Sequence, residues 1–445
     1  MQKLNVYLNE TVGKIKPMSA VNNGPCGSVV RGGGNAADYK EADFGFARLH
    51  DSAFCAAYGG EYSVDVHRVF PTFDADETDP ANYVFAPTDE YLANIDASGT
   101  KIFYRLGAAI EHGYKKGTIP PKDFLKWARI SEHIIRHYTE GWADGFRYDI
   151  EYWEIWNEPD TKNWDGSKPC WQGTEEEFID FYEVVAKHLK SCFPHLKIGG
   201  PAFCSPWSEA FIKPFLARVK ENNVPLDFYS YHRYCKTPED FRDAIRQSNR
   251  LLREAGIKTE TILNEWNYIR GWRNEEFAYS LATIANIKGA SFTTACMCVG
   301  QEEDVDMLMY YDARPSGYNG LFRMVTYEKL KTYYAMRMFR DLKRIGTSVR
   351  VEKNGEGNVY LAAAAKDGRA AILLTHYKED DTPEEKTVAL SLCGIKGPVR
   401  VTCARLDGEL DAEPVKSEYF SAEVGEIYLS MPLFTTYLVT VEPME

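Results

Sequence analysis

The fold is indicated first by the stretch IEYWEIW at residues 150–156 and by the segment that follows it. This stretch is short and consists mainly of β-branched and aromatic residues, a composition typical of a β-strand. The segment at 174–192 is longer, and its apolar residues recur at helical spacing. It begins with Thr174 and Glu177, whose spacing is that of a capping box at a helix N-terminus. Together the two segments predict a strand followed by a helix.

The same alternation of a short strand and a longer helix repeats along most of the chain. The predicted strands lie at 15–21, 44–50, 100–106, 150–156, 196–202, 226–232, 260–265 and 291–298. The predicted helices lie at 121–139, 174–192, 205–222, 237–255, 273–289 and 325–343. Eight strands that alternate with helices favour an α/β fold in which a parallel sheet closes into a (β/α)₈ TIM barrel.

The pattern changes beyond residue 345, where no long helical segment remains. Strand-like stretches joined by polar or glycine-containing turns lie at 358–365, 370–377, 386–392, 399–406 and 426–441. They predict a C-terminal antiparallel β-sandwich. We therefore expect an N-terminal strand in residues 1–12 that pairs with the sandwich, a barrel at 13–344 and the sandwich at 345–445.

Charge and composition narrow the kinds of partner. The net charge of −13 argues against nucleic acid, because binding a polyanion requires basic patches. No apolar run has the length of a bilayer span, so no membrane partner is expected. A small oligosaccharide or glycoside, neutral or weakly charged, suits the chain better. The sequence is compatible with a homo-oligomer.

The N-terminal residues indicate the cellular compartment, and the spacing of the cysteines indicates whether a zinc site is expected. The first residues, MQKLNV, form neither the basic nor the apolar region of a signal peptide, so a cytoplasmic location is expected. The ten cysteines are scattered and lack the paired spacing of a zinc site. We expect buried, reduced thiols and neither a metal nor a cofactor.

Two glutamates stand at the ends of predicted strands. Glu158 follows the fourth strand within NEP (157–159), and Glu265 ends the seventh within NEW (264–266). Barrel enzymes carry their catalytic groups at the C-terminal ends of strands, so the two carboxylates should face each other. Retaining glycoside hydrolysis uses such a pair. Each glutamate taken alone could equally be a solvated charge, and the Pro159 and Trp266 that follow favour a shaped, desolvated site.

The stretch WEIWNEP (153–159) resembles the acid/base signature of the clan A glycoside hydrolases, and particularly of glycoside hydrolase family 39. That family includes β-xylosidases and α-L-iduronidases. The resemblance implies that Glu158 is the general acid/base and Glu265 the nucleophile. It also implies that Asn157 hydrogen-bonds the 2-hydroxyl of the sugar.

Two further stretches resemble the second and sixth strands of that family. FARLH (46–50) is similar to its Arg-x-His motif, which implies that Arg48 and His50 lie in the site and that Arg48 supports an ionised nucleophile. DFYSYHRY (227–234) is similar to its sixth strand, which implies that His232 and Tyr234 line the site.

One stretch departs from the family pattern. The xylosidases of the family carry a tryptophan-containing motif after the eighth strand, whereas the stretch predicted there is ACMCVGQEE (295–303). It predicts a sulfur-rich wall in the sugar pocket and makes Glu302 the candidate for the family's acidic residue. This departure leaves the identity of the bound sugar open.

Three other residues are candidate substrate contacts. Trp266 adjoins the predicted nucleophile. Trp164, in the loop after Glu158, could stack on a sugar in an aglycone subsite, or it could simply pack the loop. Asn23 follows the first strand, where it could bind hydroxyl groups or could form a plain turn before Gly24-Pro25.

The function expected is hydrolysis of O-glycosidic bonds with retention, by a β-xylosidase-like exo-glycosidase. β-Galactosidase, β-glucosidase and arabinoside- or uronide-releasing activities remain open on the same scaffold. A non-catalytic carbohydrate-binding barrel is the alternative from another class. A metal-dependent barrel hydrolase is disfavoured because no His-x-His motif stands at a strand end.

Overall fold

The computed structural model describes residues 1–27, 34–51, 63–108, 118–317, 319–354, 357–395, 397–422 and 424–444. Within these ranges the chain forms a closed barrel and a second, nine-stranded sheet. Among the residues that the structure describes, no helix combines the length and the apolar character needed to cross a membrane.

Eight parallel strands form the barrel, after an N-terminal strand β1 (Gln2–Lys14) that belongs to the other sheet. The barrel strands are β2 (Ala20–Asn22), β3 (Phe46–Arg48), β4 (Lys101–Leu106), β5 (Tyr152–Ile155), β6 (Lys197–Phe203), β7 (Phe228–Cys235), β8 (Glu260–Tyr268) and β9 (Met307–Tyr310). They pair in chain order, and β2 closes the barrel against β9. The predicted TIM barrel is confirmed.

The helices surround this barrel. They are α1 (Ala36–Ala42), α2 (Val66–Val69), α3 (Ala86–Ala97), α4 (Phe124–Thr139), α5 (Glu175–Cys192), α6 (Glu209–Glu221), α7 (Pro238–Glu254), α8 (Asn274–Ile284), α9 (Ile287–Glu302) and α10 (Lys331–Ile345). The capping box of α5 forms as predicted. The Glu177 amide donates to Thr174 Oγ1 at 3.1 Å, and the Thr174 amide donates to the Glu177 carboxylate at 2.7 Å. These two bonds satisfy amides that a helix N-terminus otherwise leaves unpaired.

The prediction of the eighth strand is wrong. Residues 291–298 lie inside α9, and the eighth barrel strand is β9. Every residue of α9 from Lys288 to Gly300 is buried, because the barrel covers one side of the helix and β11 (Val359–Lys366) and β12 (Arg369–His376) cover the other. A helix that is buried all round shows no 3.6-residue pattern and cannot be told from a buried strand by periodicity.

The second sheet is the C-terminal domain together with β1. Its remaining strands are β10 (Thr347–Asn354), β13 (Glu385–Cys393), β14 (Val399–Leu406), β15 (Asp411–Phe420), β16 (Ile427–Pro432) and β17 (Thr436–Pro443). β1 runs antiparallel to β10 and parallel to β13, and the other pairs are antiparallel. The sheet curls so that Leu4, Ile372, Leu390 and Leu429 share one apolar core, which gives the predicted sandwich.

The barrel and the sandwich are joined by a buried lysine. Lys288 of α9 is only 3% exposed. Its ammonium group donates to the Tyr279 hydroxyl at 2.9 Å, to the Asp381 carboxylate at 3.0 Å and to the Glu379 carbonyl oxygen. Glu379 and Asp381 belong to the connection between β12 and β13. A buried cation is tolerable only when it is paired in this way, so the sandwich supplies part of what keeps α9 in place.

Candidate active site

Glu158 is fixed just beyond the C-terminal end of β5. Its backbone has φ of 48°, and its amide donates to the carbonyl oxygen of Ala202 in β6 at 2.9 Å. A positive φ is unfavourable for a residue with a Cβ and persists where neighbouring contacts enforce it. The Glu158 side chain is 8% exposed, and the Thr161 hydroxyl donates to its Oε2 at 3.2 Å.

Glu265 lies on β8 and is surrounded by donors. Its Oε1 accepts from Arg48 Nη1 at 2.8 Å and lies 3.3 Å from His50 Nε2. Its Oε2 accepts from the Tyr234 hydroxyl at 2.9 Å. Burial alone would raise the pKa of Glu265, but the charges of His232, His50 and Arg48 outweigh it and hold the pKa at about 2. Glu265 is therefore ionised at neutral pH.

His232 connects the two glutamates. Its Nδ1 lies 2.7 Å from Glu158 Oε1, within hydrogen-bond distance, and 3.5 Å from Glu265 Oε2. Burial lowers the pKa of His232, but Glu265 and Glu158 raise it by more, so the net direction is upward. One carboxylate oxygen of each glutamate and one His232 nitrogen all lie within 4.8 Å of one another. The carboxyl groups are thus close neighbours across the barrel mouth.

Arg48 is the fully buried centre of a network behind Glu265. Besides its bond to Glu265, it donates from Nε to Glu154 at 2.6 Å, from Nη1 to Asn22 at 2.9 Å and from Nη2 to Asn157 Oδ1 at 2.7 Å. A planar guanidinium with several donors suits such a set of acceptors. Arg48 therefore fixes both the nucleophile candidate and Asn157.

Glu154 is a buried counter-ion that the sequence analysis did not identify as functional. Its Oε1 accepts from the Ser230 hydroxyl at 2.6 Å and from Asn264 Nδ2 at 2.5 Å, while Oε2 pairs with Arg48. The signal was present in the sequence, since a charged residue between Trp153 and Ile155 must point into the barrel if the tryptophan points outward.

One polar atom of the Asn157 side chain has no hydrogen-bond partner among the described residues. Its Oδ1 accepts from Arg48, but its Nδ2 is buried and has no hydrogen-bond partner among the described parts of the chain. A buried donor without a partner is costly, which suggests that a ligand completes it.

A second ring of charged residues stands behind His50. Asp51 Oδ2 lies 3.1 Å from His50 Nδ1 and accepts from the Tyr311 hydroxyl at 3.0 Å. Asp312 accepts from Asn23 Nδ2 at 3.2 Å, and burial raises its pKa to about 8 despite the nearby Arg314. Tyr311, which follows β9, contacts the His50 ring edge-on. The residue after the eighth strand is therefore a tyrosine, and the predicted sulfur-rich wall is wrong.

Arg48, His50, Asn157, His232 and Tyr234 converge with Glu158 and Glu265 as predicted. The four other predicted contacts are not part of this cluster.

Trp266 is fully buried and packs against Phe241 of α7, Phe292 of α9 and Tyr310. The prediction that it contacts substrate is wrong, because neighbouring residues of a strand point to opposite faces and Glu265 takes the inner face.

Glu302 is also misplaced by the sequence prediction. It ends α9 at the opposite end of the barrel, where it pairs with Arg242 at 2.8 Å and with Lys353 of the sandwich at 2.5 Å. Its assignment as a substrate contact depended on the wrong eighth strand. It serves instead as a link between the barrel and the sandwich.

Asn23 and Trp164 differ sharply in exposure. Asn23 is fully buried, and its Oδ1 accepts from the amides of Asp51 and His50 while Nδ2 donates to Asp312. It supports the loops around the site from behind and does not face substrate. Trp164 is 91% exposed, and the Arg273 guanidinium lies 4.7 Å from the centre of its ring.

With the geometry established, comparisons with known proteins identify the family. Residues 74–420 match the sequence model described as Glycosyl hydrolases family 39. The chain belongs to glycosyl hydrolase family 39. The resemblance stated from the sequence motifs is thereby confirmed.

Characterised relatives match over part of their length. A β-xylosidase from Geobacillus stearothermophilus is 38% identical over 128 residues, 27% of this chain and 23% of the relative. A β-xylosidase from Caldicellulosiruptor saccharolyticus is 31% identical over 161 residues, 35% of this chain and 29% of the relative. The chain thus matches less than a third of the length of either relative.

Solved structures share the fold of this family 39 chain from end to end. A glucosidase from Croceicoccus marinus superposes with a TM-score of 0.80 at 21% identity, covering 100% of this chain and 99% of that one. A monomeric β-xylosidase from Caulobacter crescentus CB15 gives a TM-score of 0.75 at 16% identity, with both chains covered completely. These likenesses show the barrel-and-sandwich architecture.

The cluster of Glu158, His232 and Glu265 could also be considered as a metal site, since its ligand atoms are close together. The bonds already present argue against it. Both oxygens of Glu265 already accept hydrogen bonds, Oε1 from Arg48 at 2.8 Å and Oε2 from the Tyr234 hydroxyl at 2.9 Å, so neither is directed at an open metal position. The site is better suited to acid–base and nucleophilic chemistry.

Proposed function

We propose that this chain is a glycosidase that works with retention, with Glu265 as the nucleophile and Glu158 as the general acid/base. The observation that carries the proposal is an ionised glutamate held close to a second one. Carboxyl groups about 5–5.5 Å apart are typical of retaining enzymes, whereas inverting enzymes leave about 6.5–9.5 Å for a water molecule. An approach within 4.8 Å between oxygens of Glu158 and Glu265 supports the retaining geometry.

In the first step, a carboxylate oxygen of Glu265 forms a bond to the anomeric carbon, and the bond from that carbon to the leaving oxygen breaks. Glu158 transfers its proton to the leaving oxygen. The proton involved is the one that Glu158 Oε1 and His232 Nδ1 share across 2.7 Å. When it resides on Glu158, that residue is the acid and His232 is neutral.

In the second step, water attacks the anomeric carbon and the bond from that carbon to Glu265 breaks. Glu158, now ionised, takes the proton of the attacking water and returns to its first state. Arg48, His50 and Tyr234 then stabilise the carboxylate of Glu265 as it leaves, because each already contacts its oxygens in the free protein.

The substrate we propose is a β-xyloside or a short β-xylo-oligosaccharide. This is supported by the two related β-xylosidases and by the buried Asn157 Nδ2, which is available to a hydroxyl next to the anomeric carbon. A β-glucoside is the alternative substrate, to be tested beside the β-xyloside, because a glucosidase has a similar fold.

Exo action is supported by a contact across the barrel mouth. Trp164 lies in the loop after β5, Arg273 lies in the loop after β8, and the two side chains stack at 4.7 Å. Next to Arg273, the Trp272 ring packs on Tyr234, which itself bonds Glu265. A contact between loops from opposite strands shortens the cleft. We therefore propose that only the end of a glycan chain enters the cleft.

The roles of the two glutamates can be separated by azide rescue. Glu265→Ala should lose turnover of nitrophenyl β-xyloside, and azide should restore it with a glycosyl azide of inverted configuration. Glu158→Ala should still react with activated leaving groups, and azide should then give the retained configuration. Glu275→Gln is the matched control, because Glu275 is exposed at the start of α8 and should keep full activity.

Two outcomes would reject the proposal. One is full activity of Glu265→Ala on nitrophenyl β-xyloside without azide, or full activity of Glu158→Ala on xylobiose, whose leaving group needs protonation. The other is sugar binding by calorimetry with no turnover of any aryl glycoside in the unmodified protein, which would favour a non-catalytic carbohydrate-binding barrel.

A further inference from the structure

The outer helical layer carries a second cluster of metal-binding residue types. Glu132 lies on α4, and His188 and Cys192 lie four residues apart on one face of α5. All three are half-buried. Because α5 returns from the catalytic face after β5, its last turn lies at the barrel end opposite Glu158 and Glu265.

The potential ligand atoms already converge. His188 Nε2 lies 2.7 Å from Glu132 Oε2 and 3.8 Å from Cys192 Sγ, and all three atoms lie within 4.8 Å of one another. A tetrahedral zinc ion with bonds of about 2.0–2.3 Å places nitrogen and oxygen ligands about 3.3 Å apart, and nitrogen and sulfur ligands about 3.5 Å apart. The observed nitrogen–oxygen separation is about 0.6 Å shorter and the nitrogen–sulfur separation about 0.3 Å longer than these values, and side-chain rotations can supply both changes.

The charges around the cluster are compatible with a cation. Arg136 faces it, but its guanidinium donates to the other oxygen of Glu132, Oε1, at 2.9 Å and to Glu140 at 2.5 Å. Glu140 offsets the charge of Arg136, and Glu132 Oε2 remains directed at His188. Cys192 ends α5, where the carbonyl end of the helix dipole also favours positive charge.

We propose that Glu132, His188 and Cys192 form a site for a thiophilic divalent metal ion of the zinc type, with water as the fourth ligand. On binding, the Cys192 thiol releases its proton to solvent as the sulfur–metal bond forms. The ion also replaces the proton that His188 Nε2 shares with Glu132. The site joins α4 to α5, and it is independent of the proposed glycosidase activity.

The test is a titration of the full-length protein with Co²⁺ after treatment with a chelator and removal of that chelator. A bound Co²⁺ should give a sulfur-to-cobalt charge-transfer band in the near ultraviolet with one equivalent per chain, and Zn²⁺ should abolish the band. Cys192→Ser should lose the band, and His188→Gln should weaken Co²⁺ binding at least tenfold. Cys393→Ser, which changes another partly exposed cysteine, should keep it.

Thermal unfolding supplies the second measurement. Zn²⁺ at a hundredfold excess over its dissociation constant should raise Tm in the unmodified protein and in Cys393→Ser, but not in Cys192→Ser. Circular dichroism of each variant verifies folding, and the glycosidase activity of Cys192→Ser should equal that of the unmodified protein. An adventitious ion only, with millimolar affinity unchanged by Cys192→Ser or His188→Gln, would overturn the proposal, as would a band that persists in Cys192→Ser.

Discussion

Replacing Arg48 with methionine removes the guanidinium that holds both Glu265 and Glu154. Arg48 is fully buried and donates to these two carboxylates at 2.8 and 2.6 Å. Removing one partner of a buried ion pair costs about 3–5 kcal/mol, because the remaining charge stays desolvated. That is a large part of the roughly 5–15 kcal/mol by which domains are stable, so Arg48→Met should fold but unfold at a clearly lower urea concentration.

The same substitution should change the pH dependence of catalysis. The pKa of Glu265 is held at about 2 by His232, His50 and Arg48 against the effect of burial. A hydrogen bond to a charged group contributes about 1.5–3 kcal/mol, and 1.36 kcal/mol corresponds to one pKa unit. Losing Arg48 should therefore raise the pKa of Glu265 by about one to two units. The ionised form needed for attack is then lost at a higher pH as the solution is acidified.

The assay is kcat/KM for an aryl β-xyloside between pH 3 and pH 8, which reports ionisations of the free enzyme. In the unmodified protein the acid limb of Glu265 lies below this range, because its pKa is about 2, and in Arg48→Met it should enter the range at about pH 3–4. Arg48→Lys, which keeps the charge, should move it less, and it provides the measurement if the methionine variant is too unstable. An unchanged acid limb in a folded variant would refute the assignment of Glu265 as the group that Arg48 keeps ionised.

The remaining predictions concern neighbouring contacts. Tyr234→Phe removes the hydroxyl that donates to Glu265 at 2.9 Å, so kcat/KM should fall about ten- to a hundredfold, whereas Tyr419→Phe on the exposed surface should have no effect. Lys288→Ala leaves the sandwich loop without its buried cation, and urea unfolding should show a loss of about 2 kcal/mol; a loss below about 0.5 kcal/mol would contradict the proposed link between the domains. Trp164→Ala should raise KM for xylotriose more than for nitrophenyl xyloside, and equal effects on both would remove Trp164 from the aglycone side.

Much of the fold could be predicted because short, buried strands alternate with helices that bury one side and expose the other. Seven predicted strands overlap observed barrel strands, and the helices with amphipathic patterns, such as α5 and α7, lie where expected. The helical pattern disappears where a helix is buried on all sides. Helix α9 is enclosed by the barrel and the sandwich, so its composition resembles that of a buried strand. Because this segment is predicted as the eighth strand, Glu302 is wrongly placed in the active site.

The active site could be predicted to the extent that its residues stand at strand ends. Glu158, Glu265, Arg48 and His232 meet as expected. Trp266 could have been rejected from the sequence, since the two-residue period of a strand turns it away from the side of Glu265.

Glu154 illustrates that a sequence does not by itself identify the partner of a buried charge. Its partner Arg48 lies 106 positions earlier, and only closure of the barrel brings the two side chains to 2.6 Å. The pairing of Asp51, Asp312 and Arg314 behind His50 depends on barrel closure in the same way, since it joins the loops after β3 and β9.

The central claim, double displacement through Glu265, is tested most directly by the configuration of the first product. Proton NMR during the first minutes of hydrolysis of a nitrophenyl β-xyloside distinguishes the anomeric proton of β-xylose from that of α-xylose. The close approach of Glu158 and Glu265 predicts that β-xylose appears first and that α-xylose follows only by mutarotation. If α-xylose appeared first, the reaction would proceed by inversion and the account given for the two glutamates would be contradicted.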